Sequence, residues 1–428
     1  MSQTSAHGRT TLSDYRVALS TPEARGPVAA SALARLPIAM IGLSALLYVQ
    51  QRTHDFAVAG LVSAGTLVGV SIGSVAQGRL IDRFGPTRPL LVASALFSAL
   101  LALLIGAIEA GSAAAVLIAA AFGIGVTEPM TGSASRALWG RLLPAGPARD
   151  AAYAYEAISM EVFFILGPGL AGVLVTAPWP GTGLVVGGGF LVAGSVAFAL
   201  SRPVRAWAPA TGPRGPLLGA LAGPGMRTVA LAALGFGTVI GFVEVAVPAA
   251  ATLAGHVAVG GVLLSVWSVS SVGFGVLYST GPWPATMRLR LPVLLALFAG
   301  SAALLAVPSS LWGLAAAMLV AGALITPQST AHSMAIEIVA PEGTAAEAFG
   351  WVLTAVTLGL AVGQGAGGRL VEADGPGAAF LAAAGCAFAV AAAVWALRGT
   401  IRPPDATATS TTTSTTMSAG AASPEHTD

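Results

Sequence analysis

Four ionisable side chains lie inside long apolar runs of this chain: Arg35, Glu128, Glu161 and Glu244. A charged group at the centre of a bilayer costs about 2.5–3.5 kcal/mol or more unless it is paired or hydrated, so such residues are functional candidates. Arg35, Glu128 and Glu161 are expected at comparable depth in the first half of the chain. A carboxylate that is alternately wet and dry takes up and releases a proton, and a neighbouring cation biases that exchange. Glu128 and Glu161 are therefore the proton-coupling candidates, with Arg35 as the biasing group; a static buried pair that fixes helix packing is the competing reading. Glu244, Trp267, Trp351 and Gln364 are candidates for lining a substrate cavity, against a packing role for each Trp. Glu156 is read as interfacial. Charge gathers a second time in GRLIDRFGPTRPLL, residues 78 to 91, where Arg79, Asp82, Arg83 and Arg88 fall between two apolar runs of a chain that is only 9% charged.

The elements that must position these groups follow from composition. A chain of 428 residues that is 55% hydrophobic is far from a soluble domain, where about a quarter of residues are charged. A spanning helix needs about 20 mostly apolar residues, and irregular backbone cannot face lipid. Twelve spans are expected, at 27–50, 56–78, 89–108, 113–137, 154–176, 183–201, 227–251, 257–279, 291–307, 311–334, 348–369 and 377–397. The residues before the first run do not read as a cleaved signal peptide. Pro37, Pro129, Pro168, Pro248 and Pro327 are expected to interrupt spans.

All 20 basic residues are Arg. Without Lys there is no Walker A loop and no Schiff base to retinal or pyridoxal phosphate. The single cysteine, Cys386, excludes internal disulfides and thiolate metal clusters. No HExxH occurs, His54, His256 and His332 are scattered, and GVSIG at Gly69 to Gly73 sits within an expected helix rather than on a strand-to-helix elbow. No metal, cofactor or nucleic-acid partner is expected. An intramembrane enzyme or a passive channel is the rival of another class.

Arg placement sets orientation. With both termini cytoplasmic, seventeen Arg fall on inside segments, against Arg52 and Arg369 outside and Arg35 within a span. The organisation expected is a cytoplasmic segment (1–26), a six-helix bundle (27–202), a Pro/Gly-rich basic linker (203–226), a second six-helix bundle (227–397) and a disordered Thr/Ser-rich tail (398–428). The halves echo each other weakly: GRLIDRFGP is followed 197 positions later by GVLYSTGP, and YEA at Tyr155 by AEA at Ala346. Such repeats are common in secondary transporters.

GRLIDRFGPTR resembles the loop signature between helices 2 and 3 of the major facilitator superfamily, with Gly78, Asp82, Arg83, Gly85 and Arg88 matching. RALWGRL from Arg136, MEVFFILGPGLAG from Met160, EVAVPA from Glu244 and APEGTAAEAFGW from Ala340 resemble actinobacterial-type efflux members. The likeness covers roughly residues 27–397. It implies an all-α fold of twelve helices in two pseudo-symmetric six-helix bundles, and secondary transport by alternating access. It also implies that span 2 lies against span 11 and span 5 against span 8, with Asp82 near the start of span 11.

On that resemblance the charged loop reads as a cytoplasmic latch of the outward-open state, in which Arg83 or Arg88 meets Glu342 or Glu347. A mirror contact would join Arg288 and Arg290 to Glu156. The plainer alternative is that these Arg enforce topology and bind anionic headgroups. The stripes Gly65, Gly69, Gly73 and Gly359, Gly363, Gly367 are read as supporting the pairing of spans 2 and 11, with Gly167, Gly169, Gly172 and Gly273, Gly275 doing so for spans 5 and 8. Gly167, Pro168 and Gly172 partly match a helix 5 antiporter signature, with Ala171 replacing a Gly. The usual Arg signature within helix 4 is absent. The expected function is proton-coupled efflux of a small amphipathic molecule by a monomer in the cell membrane, surrounded by lipid. Proton-coupled uptake of a neutral nutrient such as a sugar is the alternative.

Overall fold

In the computed structural model, residues 12–144, 146–207, 220–280, 286–340 and 345–402 are described. All regular structure among them is helical. Twelve segments are long and apolar enough to cross a membrane. In the first half these are span 1 (Pro22–Thr53), span 2 (Phe56–Phe84), span 3 (Thr87–Glu109), span 4 (Ala114–Leu142), span 5 (Pro147–Leu174) and span 6 (Thr182–Leu200). In the second they are span 7 (Pro224–Leu253), span 8 (Val257–Gly275), span 9 (Met287–Leu304), span 10 (Leu311–Val339), span 11 (Glu347–Asp374) and span 12 (Pro376–Ala396). Each half packs as a bundle of six. An even number of crossings leaves Leu12 and Arg402 on one side, here termed the terminal face; the other is the distal face.

Helix ends are set by local chemistry. The Asp55 carboxylate accepts from the backbone N–H of Ala57 and Val58 and caps span 2, and Pro147, Pro224 and Pro376 occupy first-turn positions where no N–H is needed. Span 5 therefore starts at Pro147 and not at 154: the polar stretch PARDAAY hides its first two turns from a reading of hydropathy. The 1–26 segment also differs from expectation. It contains a helix, Leu12–Ser20, and the first residues of span 1, with Ala18 and Ala24 buried against Trp139, Leu143 and Ala152.

Three spans are discontinuous. Span 1 breaks at Leu36–Pro37, span 4 at Glu128–Met130 and span 10 at Ala323–Leu324. Pro37 and Pro129 account for the first two, because proline lacks the donor for the preceding turn. Pro327 falls in the first turn of the second piece of span 10, where it is tolerated. Pro168 and Pro248 do not interrupt their spans; both lie within unbroken helices.

A break in lipid frees backbone groups that water cannot satisfy. At span 4 one buried side chain takes up that role: Gln77 Nε2 donates to the carbonyls of Val126 (3.0 Å) and Glu128 (2.8 Å), and Gln77 Oε1 accepts from the Met130 N–H (3.2 Å). Span 2 comes this close because the stripe Gly65, Gly69 and Gly73 lies directly on Ile118, Phe122 and Val126 of span 4. Replacing Gln77 by Leu leaves three backbone groups unpartnered, at about 1–3 kcal/mol each where water is excluded. Gln77→Leu is expected to lower the thermal unfolding midpoint of the detergent-purified protein and to expose the 127–131 backbone to hydrogen exchange; an unchanged midpoint would show that the break is satisfied otherwise.

The halves meet along the two expected seams, spans 2 with 11 and 5 with 8. The glycines that allow it are only partly the predicted ones: Gly169 and Gly172 of span 5 do meet span 8, at Ser265 and at Ala258 and Gly261, whereas neither stripe of spans 2 and 11 lies on their shared seam. Gly60 and Gly368 bring spans 2 and 11 together, a Cβ on either running into backbone of Gln364 or Phe56. Gly172 and Gly261 do the same for spans 5 and 8. Gly65, Gly69 and Gly73 instead pack within the first half, and Gly359, Gly363 and Gly367 against span 7 at Leu234, Thr238 and Phe242. Gly167 meets Ala39 and Met40 of span 1, Gly275 meets Thr326 of span 10, and Gly273 faces open space. A four-residue glycine spacing announces a close helix contact without saying which helix answers it. Both seam contacts lie toward the distal face, and the Phe56 N–H adds a hydrogen bond to Glu372 there (2.9 Å).

Candidate functional site

Arg35 ends the first piece of span 1, immediately before the Leu36–Pro37 break. Its guanidinium forms an ion pair with Glu156 through Nη1 and donates from Nη2 to Ser159 Oγ (2.9 Å). The other Glu156 oxygen accepts from Ser135 Oγ (2.8 Å) and Trp139 Nε1 (2.9 Å). The guanidinium also lies 5.6 Å from the centre of the Phe163 ring. Both charged side chains are at most 4% exposed. Gly132 leaves room for the Arg35 stem, its Cβ position being 3.2 Å from Arg35 Cδ. Spans 1, 4 and 5 are thus joined by one desolvated, hydrogen-bonded cluster.

This corrects two expectations. Arg35 is committed to Glu156, so it is not the cation beside Glu128 or Glu161. Glu156 is buried rather than interfacial, because span 5 begins at Pro147 and places it nine residues inside the helix. The mirror contact to Arg288 and Arg290 is therefore not made by Glu156, and Arg288 Nε donates instead to the Ile401 carbonyl (3.1 Å). The cluster was readable in principle: Ser135 and Trp139 are one turn apart on span 4, and Glu156 and Ser159 nearly one turn apart on span 5.

Glu128 sits in the break of span 4, where its carbonyl is held by Gln77. Its half-buried carboxylate has no hydrogen-bond or ion-pair partner among the described residues. Glu161 is exposed and likewise unpaired. Helical spacing puts Glu161 on the stripe of span 5 that includes Phe164, Pro168 and Gly172. Toward the distal face that stripe touches span 8: Ser268 Oγ donates to the Phe164 carbonyl (3.1 Å), and Gly261 lies against the Pro168 carbonyl and Gly172. Glu161 occupies the next turn toward the terminal face, on the seam between the halves.

In the second half, Gln364 Nε2 donates to Glu244 Oε2 (2.7 Å), bringing together two of the four cavity candidates. The Gln364 carbonyl abuts Gly60 of span 2, so this pair also lies beside a seam. Trp351 is half-buried against the apolar core. Trp267 is 4% exposed, stacked 6.5 Å from Phe298 and wedged against Gly322 of span 10. Its place is in the packing of the second bundle, not on an open cavity wall. His332 is buried beside Phe236, bonded to backbone of Ala232 and Gln328.

The expected latch is not closed. Asp82, Arg83 and Arg88 are exposed, and neither Arg is ion-paired among the described residues. Arg83 lies over the ring of Phe84 (5.0 Å). Glu342 falls outside the described residues, as do the loop around it, residues 208–219 of the linker and the tail beyond Arg402. Glu347 is half-buried in the first turn of span 11. Gly78 faces open space. Gly85 has φ +76°, and the Trp207 carbonyl lies 3.0 Å from where its Cβ would be, so the glycine is required by the turn and by the chain that crosses it. These positions fit an arrangement in which the halves touch at the distal face and stand apart at the latch. Among the described residues no group of three His, Cys, Asp or Glu side chains is placed to hold a metal ion.

Two six-helix bundles in contact along two seams, with carboxylates beside those seams and broken helices within them, are the architecture of a secondary transporter. Residues 28–292 match the family described as Major Facilitator Superfamily. The chain belongs to that superfamily. Its fold is similar to that of nucleoside transporter NupG (15% identity, TM-score 0.69, covering 87% of this chain and 99% of that one). It is also similar to peptide transporter POT in complex with sulfate (14%, 0.70, 92% and 99%). A third likeness is to a bacterial homolog of the human lysosomal transporter Spinster in an inward-facing and unoccupied conformation (15%, 0.66, 90% and 100%). No curated protein sequence matches the chain.

Removing one member of a buried pair strands the other charge, at about 3–5 kcal/mol, whereas replacing both with apolar groups is often neutral. Arg35→Met and Glu156→Leu are each expected to reduce folded yield and unfolding midpoint sharply. The double variant is expected to recover most of both; double-mutant stability that merely adds the two losses would deny the pairing.

Proposed function

We propose that this chain is a proton-coupled exporter of a small amphipathic molecule, acting as a monomer in the cytoplasmic membrane with the terminal face toward the cytoplasm. The concentration of Arg on terminal-face segments supports that orientation. The observation that carries the proton coupling is the imbalance of charge within the spans. The one buried arginine among the described residues, Arg35, is neutralised by Glu156, while Glu161 at the seam and Glu128 at the break of span 4 are unpaired. A lone carboxylate holds a proton when the seam closes over it and releases it when the seam opens to water. Rocking of the bundles then converts that cycle into exchange. Apolar residues around the open part of the seam, Phe164 and Val162 among them, suit a ligand with a substantial apolar body. Glu244 and Gln364 supply a hydrogen-bonding pair for its polar end.

The test uses everted membrane vesicles and a panel of amphipathic fluorescent dyes. An acid-inside gradient is expected to drive dye accumulation that a protonophore abolishes. Glu161→Gln and Glu128→Gln are each expected to cut gradient-driven accumulation by about tenfold, the effect of about 1.4 kcal/mol, while leaving dye counterflow in place. Accumulation insensitive to both the protonophore and the substitutions would overturn the coupling. Proton-driven uptake of a neutral sugar by intact cells would favour the nutrient reading.

A further inference from the structure

A pocket of about 480 Å³ lies between spans 2, 3 and 4 in the half of the membrane nearer the terminal face. Its walls are Leu80 and Phe84 of span 2 and Val92 and Leu96 of span 3, all substantially exposed, and its floor is Gln77 with Thr127. Arg88 stands at its mouth, in the first turn of span 3. Span 3 packs on spans 4 and 6, on span 2 near its start and on span 1 near its end, all within the first bundle, so its remaining face meets lipid. From Arg88 to Leu96 the helix rises about 12 Å, which sets an interfacial cation below a deep apolar slot.

The pairing of one cation with one apolar slot specifies the occupant. The Arg88 guanidinium is exposed and has no partner among the described residues, and the nearby Arg79 and Arg83, set against the single carboxylate of Asp82, keep this turn of chain net positive. A wholly apolar occupant would leave Arg88 without a counter-charge, and a free anion would leave the slot empty. We infer that this pocket binds an anionic phospholipid, its phosphate on Arg88 and an acyl chain along Leu80, Phe84, Val92 and Leu96. The chain end reaches the floor where Gln77 holds the broken backbone of span 4. A seated lipid therefore shields that clamp from competing water and supports the break beside Glu128. This site is independent of the direction and coupling of transport.

The experiment is native mass spectrometry of the full chain, purified in detergent and incubated with dioleoyl phosphatidylglycerol or dioleoyl phosphatidylcholine. The wild-type protein is expected to retain one phosphatidylglycerol under conditions that strip phosphatidylcholine, and to gain thermal stability from it. Arg88→Gln is expected to weaken that retention about five-fold, the worth of one Arg close to an anionic surface. Ala76→Phe and Leu80→Trp, at exposed positions on the pocket wall, are expected to block it sterically. Arg369→Gln, at an exposed Arg near the distal end of span 11 in the other bundle, is expected to bind as the wild type does. Equal retention of the two lipids would overturn the inference. So would wild-type retention by Arg88→Gln, or by both wall variants, or a loss with Arg369→Gln as large as that with Arg88→Gln.

Discussion

The first bundle depends on a charge pair that lipid and protein have together removed from water. Arg35 and Glu156 are each too costly to bury alone, and together they are tolerable because every oxygen of Glu156 and both terminal nitrogens of Arg35 are engaged. The consequence is geometric. Span 1 is broken one residue after Arg35, span 4 is broken a turn before Ser135, and span 5 carries Glu156 and Ser159. Two interrupted helices are held in register by a cluster on a continuous one. The terminal-side pieces of spans 1 and 4 are thereby tied to span 5, while their distal pieces are free to be set by other contacts.

Those other contacts are backbone approaches. In a bilayer helices gain no hydrophobic reward from touching, so close packing of small residues must hold them. This chain uses glycine twice over: within bundles, where Gly69, Gly73 and Gly125 let spans 2 and 4 interlock, and between bundles, where Gly60, Gly368, Gly172 and Gly261 form the two seams. The interlocks are several turns long. The glycines of both seams lie toward the distal face. Breaks in spans 1 and 4 of the first bundle and in span 10 of the second interrupt the helical backbone in both halves.

The number of spans and the pairing of seams were legible in the sequence because they follow from long apolar runs and from a family-like loop around Asp82. Which groups would meet was far less so. Hydropathy put the start of span 5 seven residues late, and that shift alone moved Glu156 from the interior to the interface and separated it from Arg35. The glycine stripes were visible, but spacing along one helix is silent about the partner helix. Gln77 drew no attention because a lone amide in an apolar run is common; only the coincidence of its depth with that of Pro129 distinguishes it. Glu244 and Gln364 were both proposed for the same cavity, and they are hydrogen-bonded partners.

At the distal face a single carboxylate oxygen of Glu109 receives three donors: the Tyr48 hydroxyl, Arg52 Nη2 (2.7 Å) and Trp179 Nε1 (2.7 Å). Tyr48 and Trp179 also meet edge to face, 5.8 Å apart. The outer ends of spans 1 and 3 and the turn between spans 5 and 6 are therefore riveted into one plate. A plate does not peel open strand by strand. Three separate pieces of the first bundle are thus joined to one another on the side of the molecule where the seam glycines also lie.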